Sequence, residues 1–275
     1  MKQQQLKAIG SIINTVSYIS PRLAAKIAVQ LFSTPQKGAL RSMDTAVLES
    51  AKKENISYKN SQVATYHWEG KKDTILLAHG WESNSARWHE LINILKNLNY
   101  NIIALDAPAH GQSSGKLFNA VLYSECIHVV AKTYKPQIVI GHSVGGMAAV
   151  FFQYKYQLPV TKKLVLLGAP SNFVGVFDRY SKMMGYNKKV VKAMNRWVVK
   201  KFNHAPAYFS AATFSKAITS KGLIIHDKND RIIPFSDAID FKDNYATAQL
   251  ITTEGYGHGL KSEEVYNHIL DFLSN

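Results

Sequence analysis

The stretch that decides the fold is Ile138-Val139-Ile140-Gly141-His142-Ser143-Val144-Gly145-Gly146, in which a serine stands between glycines. Residues 137–142 are rich in Ile and Val, as expected of a buried strand, and residues 144–156 are predicted to form a helix. Glycines on either side of Ser143 let the backbone turn sharply without side-chain collisions. The pattern therefore predicts a serine whose hydroxyl is exposed above a sheet.

Short apolar runs alternate with amphipathic stretches on both sides of this turn. The predicted strands are 62–68, 74–79, 101–106, 137–142, 163–168, 222–227 and 248–252. The predicted helices among them are 85–98, 122–134, 144–156, 234–244 and 263–273. Such alternation indicates an α/β fold with a mainly parallel central sheet that is covered by helices on both faces.

Two segments depart from this alternation. Residues 1–61 are predicted to be an N-terminal extension of two or three helical pieces, one of which starts at Pro21. Residues 62–275 are predicted to form the core domain. Within that domain, the segment from about residue 171 to about residue 221 is too long for a simple crossover between strands. It is predicted to be a helical cap inserted over the carboxyl edge of the sheet.

A serine hydroxyl is a weak nucleophile at neutral pH, so a base must accept its proton and an acid must orient that base. The predicted base is His258, because it follows the last strand in a glycine-rich loop that can reach the carboxyl edge of the sheet. The predicted acid is Asp230, and Asp227, at the strand terminus itself, is the competing candidate. A structural or surface role is expected for His67, His89, His110, His128, His204 and His268.

Two backbone N–H groups are predicted to form an oxyanion hole. Trp81 follows the strand that ends near the serine turn, and Val144 directly follows Ser143. Two such donors would stabilise the negative oxygen that develops in a tetrahedral intermediate. Only the backbone of these residues is required, and the indole of Trp81 is expected to be a pocket wall or a packing group.

Three motifs together indicate a family. They are His79-Gly80-Trp81, the glycine-flanked serine, and the loop Asp106-Ala107-Pro108-Ala109-His110-Gly111-Gln112-Ser113, where Ala109 replaces a usual glycine. With the chain order serine, aspartate, histidine, residues 62–275 resemble the α/β-hydrolase fold family. The resemblance implies that family's fold and a catalytic triad of Ser143, Asp230 and His258. A serine at the nucleophile position argues against the family's aspartate-dependent dehalogenases and epoxide hydrolases.

The expected function is that of a carboxylesterase-like serine hydrolase acting on a small or medium acyl ester. A thioesterase, an amidase, a carbon–carbon bond hydrolase or an acyltransferase would use the same residues, because the fold does not fix the substrate. A non-catalytic binding protein that keeps the pocket is the alternative of another class. No cofactor and no metal site are expected, because the single cysteine, Cys126, and the histidines lack metal-ligand spacing.

The formal net charge is +14, which favours anionic surfaces without naming a partner. No nucleic-acid reading motif is present, so the expected partner is the small-molecule ester, and attachment to a membrane surface is the less favoured alternative. Bases on one face of the predicted helix 188–200 are expected to be solvated, with anionic substrates or lipid headgroups as the alternative ligands. The interrupted apolar pattern of residues 8–16 predicts an amphipathic helix rather than a signal peptide, and a cytoplasmic location is expected.

Overall fold

The computed structural model describes residues 3–38 and 45–275. Its strands are β1 Lys52–Tyr58, β2 Ser61–Trp68, β3 Thr74–Ala78, β4 Asn101–Leu105, β5 Ile138–His142, β6 Lys163–Leu167, β7 Lys221–Asp227 and β8 Ala248–Thr253. The α-helices are α1 Gln3–Ile19, α2 Pro21–Ser33, α3 Thr45–Glu49, α4 His89–Asn97, α5 Ala120–Tyr134, α6 Val144–Tyr156, α7 Phe173–Met184, α8 Lys188–Phe202, α9 Ala211–Ser215, α10 Ser236–Asn244 and α11 Glu263–Ser274.

The strands form one eight-stranded sheet in the order β1-β2-β4-β3-β5-β6-β7-β8. Strand β2 runs antiparallel to both β1 and β4, and every other neighbouring pair is parallel. Central strands β3 to β6 are almost wholly buried apolar residues, as strands covered on both faces must be. The predicted fold class is therefore confirmed.

One prediction from the sequence is wrong. Residues 52–58 were expected to lie in a helical extension, yet they form β1 at the edge of the sheet. The half-buried side chains of Glu54, Ile56 and Tyr58 alternate with the exposed ones of Asn55 and Ser57. This period of two is that of a strand with one solvated face, and polar residues on it are usual at a sheet edge.

The described residues divide into two compact units. The sheet unit contains residues 35–38, 45–171 and 211–275, and therefore the whole sheet. The helical unit contains residues 3–34 and 172–210, and therefore α1, α2, α7 and α8. The domain boundaries drawn from the sequence, 1–61, 62–275 and the cap at about 171–221, stay a prediction.

The helical unit has a hydrophobic core of its own. Ala24 and Ala28 of α2 are fully buried, and their small side chains allow α2 to pack closely on α8, where Val190 and Met194 are also fully buried. The ring of Phe32 meets aromatic rings of α7, with centroids 5.8 Å from Phe177. No helix in the described ranges has the length and apolarity that crossing a membrane requires.

Candidate active site

Ser143 occupies a strained turn between β5 and α6. Its φ of 53° and ψ of −128° lie in a region that L-residues rarely adopt. Gly145 makes the turn possible, because a Cβ at that position would collide with the carbonyl oxygens of Ala78 and His79. The Ser143 side chain makes no capping hydrogen bond to α6, so its hydroxyl is not consumed by the helix it precedes.

His258 lies in the loop that follows β8, within the short turn Gly257–Gly259. Its Nε2 is 3.0 Å from the Oγ of Ser143, which is hydrogen-bond distance. Its Nδ1 is 2.7 Å from Oδ2 of Asp230. The structure therefore brings together the three side chains that the sequence singled out, with the imidazole between the hydroxyl and the carboxylate.

Asp230 is held by its own loop. Its Oδ1 accepts hydrogen bonds from the backbone N–H groups of Ile232, at 2.8 Å, and Ile233, at 3.0 Å. Burial favours the protonated acid, but contact with His226, the hydrogen bond from His258 and these two N–H groups outweigh it. They hold the pKa of Asp230 well below its ordinary value, so the carboxylate is ionised and Oδ2 faces the imidazole.

Asp227, the competing acid, has a different set of contacts. Its Oδ2 accepts hydrogen bonds from the hydroxyl of Thr253, at 3.0 Å, and from the N–H of Tyr256, at 2.9 Å. Its Oδ1 accepts one from the N–H of Asn229 at 2.9 Å. Asp227 thus ties the loop after β7 to the loop after β8, which is the loop that carries His258.

The two predicted oxyanion donors follow neighbouring strands. Strands β3 and β5 are adjacent and parallel, so residues after their carboxyl ends meet at one edge of the sheet. Gly80 lies against Ser143, since a Cβ on that glycine would stand 2.9 Å from the serine Cβ. Val144 opens α6, where the first N–H groups have no partner within the helix. The indole of Trp81 packs at 5.5 Å from the ring of His110.

The loop after β4 supports the segment that carries Trp81. His79 donates its Nδ1–H to the carbonyl of Gly80 at 2.7 Å and accepts the N–H of Ala107 on Nε2 at 2.9 Å. His110 accepts the N–H of Glu82 on Nε2 at 3.0 Å. Complete burial, assisted by the nearby His110, lowers the pKa of His79 to about 3. The neutral imidazole therefore acts as a fixed strut between the two loops.

Sequence reasoning missed His142, which is the variable residue before the serine in the Gly-x-Ser-x-Gly pattern. The buried ring donates its Nε2–H to the carbonyl oxygen of His258 at 2.8 Å. Arg87 donates to the carbonyl of Gly259 at 3.0 Å, so two side chains fix the backbone of the His258 turn. Burial, Arg87 and His258 together depress the pKa of His142 far below its usual range. Strand alternation alone gave no reason to expect a polar residue at this position.

The six histidines expected to be structural each have a neighbour of their own. The pairs are His67 with Asn101, His89 with Asn93, His110 with Glu82, His128 with Tyr156, His204 with Tyr208 and His268 with Glu264. Within residues 3–38 and 45–275, no group of three or more His, Cys, Asp or Glu side chains is arranged to hold a metal ion.

A family model described as the alpha/beta hydrolase fold matches residues 73–181, which include Ser143 and both predicted oxyanion donors. The chain has the alpha/beta hydrolase fold, and its residues 73–181 match the model of that family. The matched region stops short of Asp230 and His258, so their assignment depends on the geometry described above.

Relatives of this alpha/beta hydrolase include esterases and lipases. It is 23% identical to a monoacylglycerol lipase of Mycolicibacterium smegmatis, over 74% of this chain and 87% of the relative. It is 30% identical to an (E)-2-((N-methylformamido)methylene)succinate hydrolase of Acinetobacter baylyi, but over only 34% of this chain and 36% of that protein. The solved esterase EaEST of Exiguobacterium antarcticum has the same fold, with a TM-score of 0.65 and 18% identity over 82% of this chain and all of the other.

Proposed function

We propose that the chain is a serine hydrolase that cleaves a carboxylic ester through an acyl-enzyme. One observation carries the proposal: a single imidazole lies 3.0 Å from the Ser143 hydroxyl and 2.7 Å from an ionised Asp230 carboxylate. That arrangement supplies a nucleophile, a base and the group that orients the base. The similarity to the monoacylglycerol lipase and to the esterase described above supports the choice of an ester as substrate.

In the first half of the proposed reaction, His258 Nε2 takes the proton of Ser143 while the serine oxygen bonds to the ester carbonyl carbon. The N–H groups of Trp81 and Val144 hold the oxyanion of the tetrahedral intermediate, with each donor contributing roughly 3 kcal/mol. The carbon–oxygen bond to the alcohol then breaks, and His258 returns its proton to that leaving oxygen. An acylated Ser143 remains.

In the second half, water replaces the alcohol. His258 takes a proton from the water, whose oxygen attacks the acyl carbon, and the serine oxygen leaves with the proton that His258 then donates. Asp230 stays ionised throughout and accepts the Nδ1–H, which keeps Nε2 free to exchange protons. The products are a carboxylic acid and an alcohol, and the acyl group is proposed to be small or medium in length.

The first test uses a fluorophosphonate probe, which reacts covalently with activated serines. We expect intact-mass measurement to show one adduct on the wild type, none on Ser143→Ala, and one on Ser124→Ala. Ser124 is a matched control because it is also a buried serine, with its hydroxyl bound to the carbonyl of Val121. A folded wild type that takes no adduct would instead favour a non-catalytic binding protein.

The second test identifies the bond that is cleaved. Nitrophenyl esters from acetyl to palmitoyl are compared with matched thioesters and anilides, using Ser143→Ala as the blank. We expect the highest kcat/KM for a short or medium ester. Faster turnover of thioesters or anilides would keep the serine mechanism and replace the ester by that substrate class, while turnover that survives in Ser143→Ala would remove the mechanism itself.

A further inference from the structure

The positive charge of the chain is concentrated in the helical unit. Residues 1–34 and 172–210 contain twelve lysines and arginines against one acid, Asp178, and so carry +11 of the net +14. Asp178 is already paired with Lys182 at 2.7 Å. The remaining charge of this unit must therefore be balanced by solvent ions or by an anionic partner.

Helix α8 carries much of this charge at positions where it lowers the stability of the helix. Lys188, Lys192, Arg196 and Lys200 follow one another at intervals of four residues, and all four are exposed. Like charges at this spacing repel each other along the helix surface. Lys188 and Lys189 also occupy the first turn, where the helix dipole disfavours cations. These five basic residues, called the stripe below, make α8 less stable by itself and are complementary to a negatively charged surface.

Exposed apolar side chains lie beside the stripe. Of the thirteen large apolar residues that are exposed in residues 3–38 and 45–275, eight lie in the helical unit. Tyr18, Ile19 and Leu23 project from the turn between α1 and α2, with 68%, 88% and 49% of their surface exposed. The ammonium of Lys189 is 4.1 Å from the centre of the Tyr18 ring, so this apolar turn adjoins the basic start of α8.

We propose that the helical unit docks on an anionic lipid bilayer. The stripe of α8 would contact the headgroups, while Tyr18, Ile19 and Leu23 would enter the boundary between headgroups and acyl chains. Association is peripheral, since none of the described helices could cross the bilayer. Exposed aliphatic residues beside lysines favour lipid over nucleic acid, whose recognition uses arginine, polar and stacking aromatic side chains. This proposal does not depend on the chemistry at Ser143.

The test is sedimentation of the full chain with vesicles of phosphatidylcholine alone or with about one third phosphatidylglycerol. We expect binding only to the anionic vesicles at about 0.05 M NaCl, and loss of most of that binding at about 0.5 M NaCl. The triple variant Lys188→Gln/Lys189→Gln/Lys192→Gln should bind roughly tenfold more weakly or worse, since each lysine near an anionic surface contributes to affinity. Ile19→Asn should weaken binding by about threefold through lost apolar insertion.

A matched variant separates the stripe from net charge. Lys96→Gln/Lys116→Gln/Lys216→Gln removes the same charge from exposed lysines of the sheet unit and should change binding by less than about twofold. The triple variant of α8 should melt close to the wild type, because the relief of repulsion between exposed lysines offsets the lost contact between Lys189 and the Tyr18 ring. The proposal is overturned by absent binding to anionic vesicles, by equal losses in the two triple variants, or by a duplex oligonucleotide that binds through α8 when vesicles do not.

Discussion

A buried aspartate stands at the carboxyl end of both β4 and β7, and the residues that follow it differ. Asp106 accepts four hydrogen bonds, two from Ser85 and one each from Tyr66 and Gln112. Asp227 accepts three, from Asn229 and Tyr256 in the two adjoining loops and from Thr253 at the end of β8. Each of these carboxylates is saturated by groups that fix loops. Asp106 and Asp227 therefore each hold neighbouring segments of the chain together.

The two loops differ at the third residue after the buried aspartate. In the β7 loop it is Asp230, whose Oδ1 is occupied by its own backbone while Oδ2 meets His258. In the β4 loop it is Ala109, and His110 beside it supports the backbone at Glu82. The carboxylate that meets the catalytic histidine candidate is thus the one with an oxygen that its own loop does not use.

The largest expected effect separates the two aspartates of the β7 loop. Asp230→Asn should lower kcat by about 10⁴-fold, because the amide would favour the imidazole tautomer that cannot accept the serine proton. Asp227→Asn should instead lower the free energy of unfolding by about 1–3 kcal/mol, since it weakens the three hydrogen bonds that a buried carboxylate accepts, and should keep kcat within about tenfold. Ester turnover and urea unfolding are measured for both variants. Equal losses of kcat would contradict the assignment of Asp230 to the histidine and of Asp227 to loop structure.

The next effect concerns His79, whose buried ring joins the segment after β3 to the loop after β4. The pKa of His79 is about 3 in the folded chain and about 6.5 in an unfolded one, so the unfolded state binds the extra proton between these values. Stability is complete above about pH 6.5 and falls as the pH falls, by about 2 kcal/mol for His79 between about pH 7 and about pH 5. Urea unfolding at the two pH values measures it.

A variant assigns that pH dependence to its residue. His79→Asn should be less stable at both pH values but should lose about 2 kcal/mol less between them. If His79→Asn lost as much stability between the two pH values as the wild type, His79 would not be the source of that loss.

The smallest effect tests the backbone of the β4 loop. Ala109 has a φ of 62°, a left-handed conformation that costs a residue with a Cβ. Ala109→Gly should relieve that cost and raise the free energy of unfolding by about 0.5 kcal/mol, after allowance for the greater freedom of glycine in the unfolded chain. Ala107→Gly, in the same loop without a positive φ, should destabilise by about 1 kcal/mol. Thermal or urea unfolding should show the opposite signs.

The sequence predicted the sheet and the candidate site for a common physical reason. Strand composition and chain order place residues 143, 230 and 258 after carboxyl ends of strands in one sheet, and such ends share an edge. Patterns of this kind do not report what a side chain does with its remaining atoms. The hydrogen bond from His142 to the His258 carbonyl joins residues that are far apart in the chain, so no local sequence pattern could predict it.

Long-range pairing also limited what could be predicted at the N-terminus. Period-two alternation in β1 was masked by its polar residues, because an edge strand needs few apolar ones. Helix α1 was correctly expected from the apolar spacing of residues 8–16, and α2 was correctly expected to start at Pro21. Their packing partners, α7 and α8, follow only after β6, and a pattern in residues 3–33 contains no information about them.

The composition of the helical unit from two distant segments has a consequence for biosynthesis. Its first two helices leave the ribosome long before the segment that buries their apolar faces. At about 5–20 residues per second, that interval is on the order of ten seconds. During translation the apolar side chains of Ile13, Ala28 and Val29 therefore lack the neighbours that α7 and α8 later provide, and they stay accessible to other molecules for that interval.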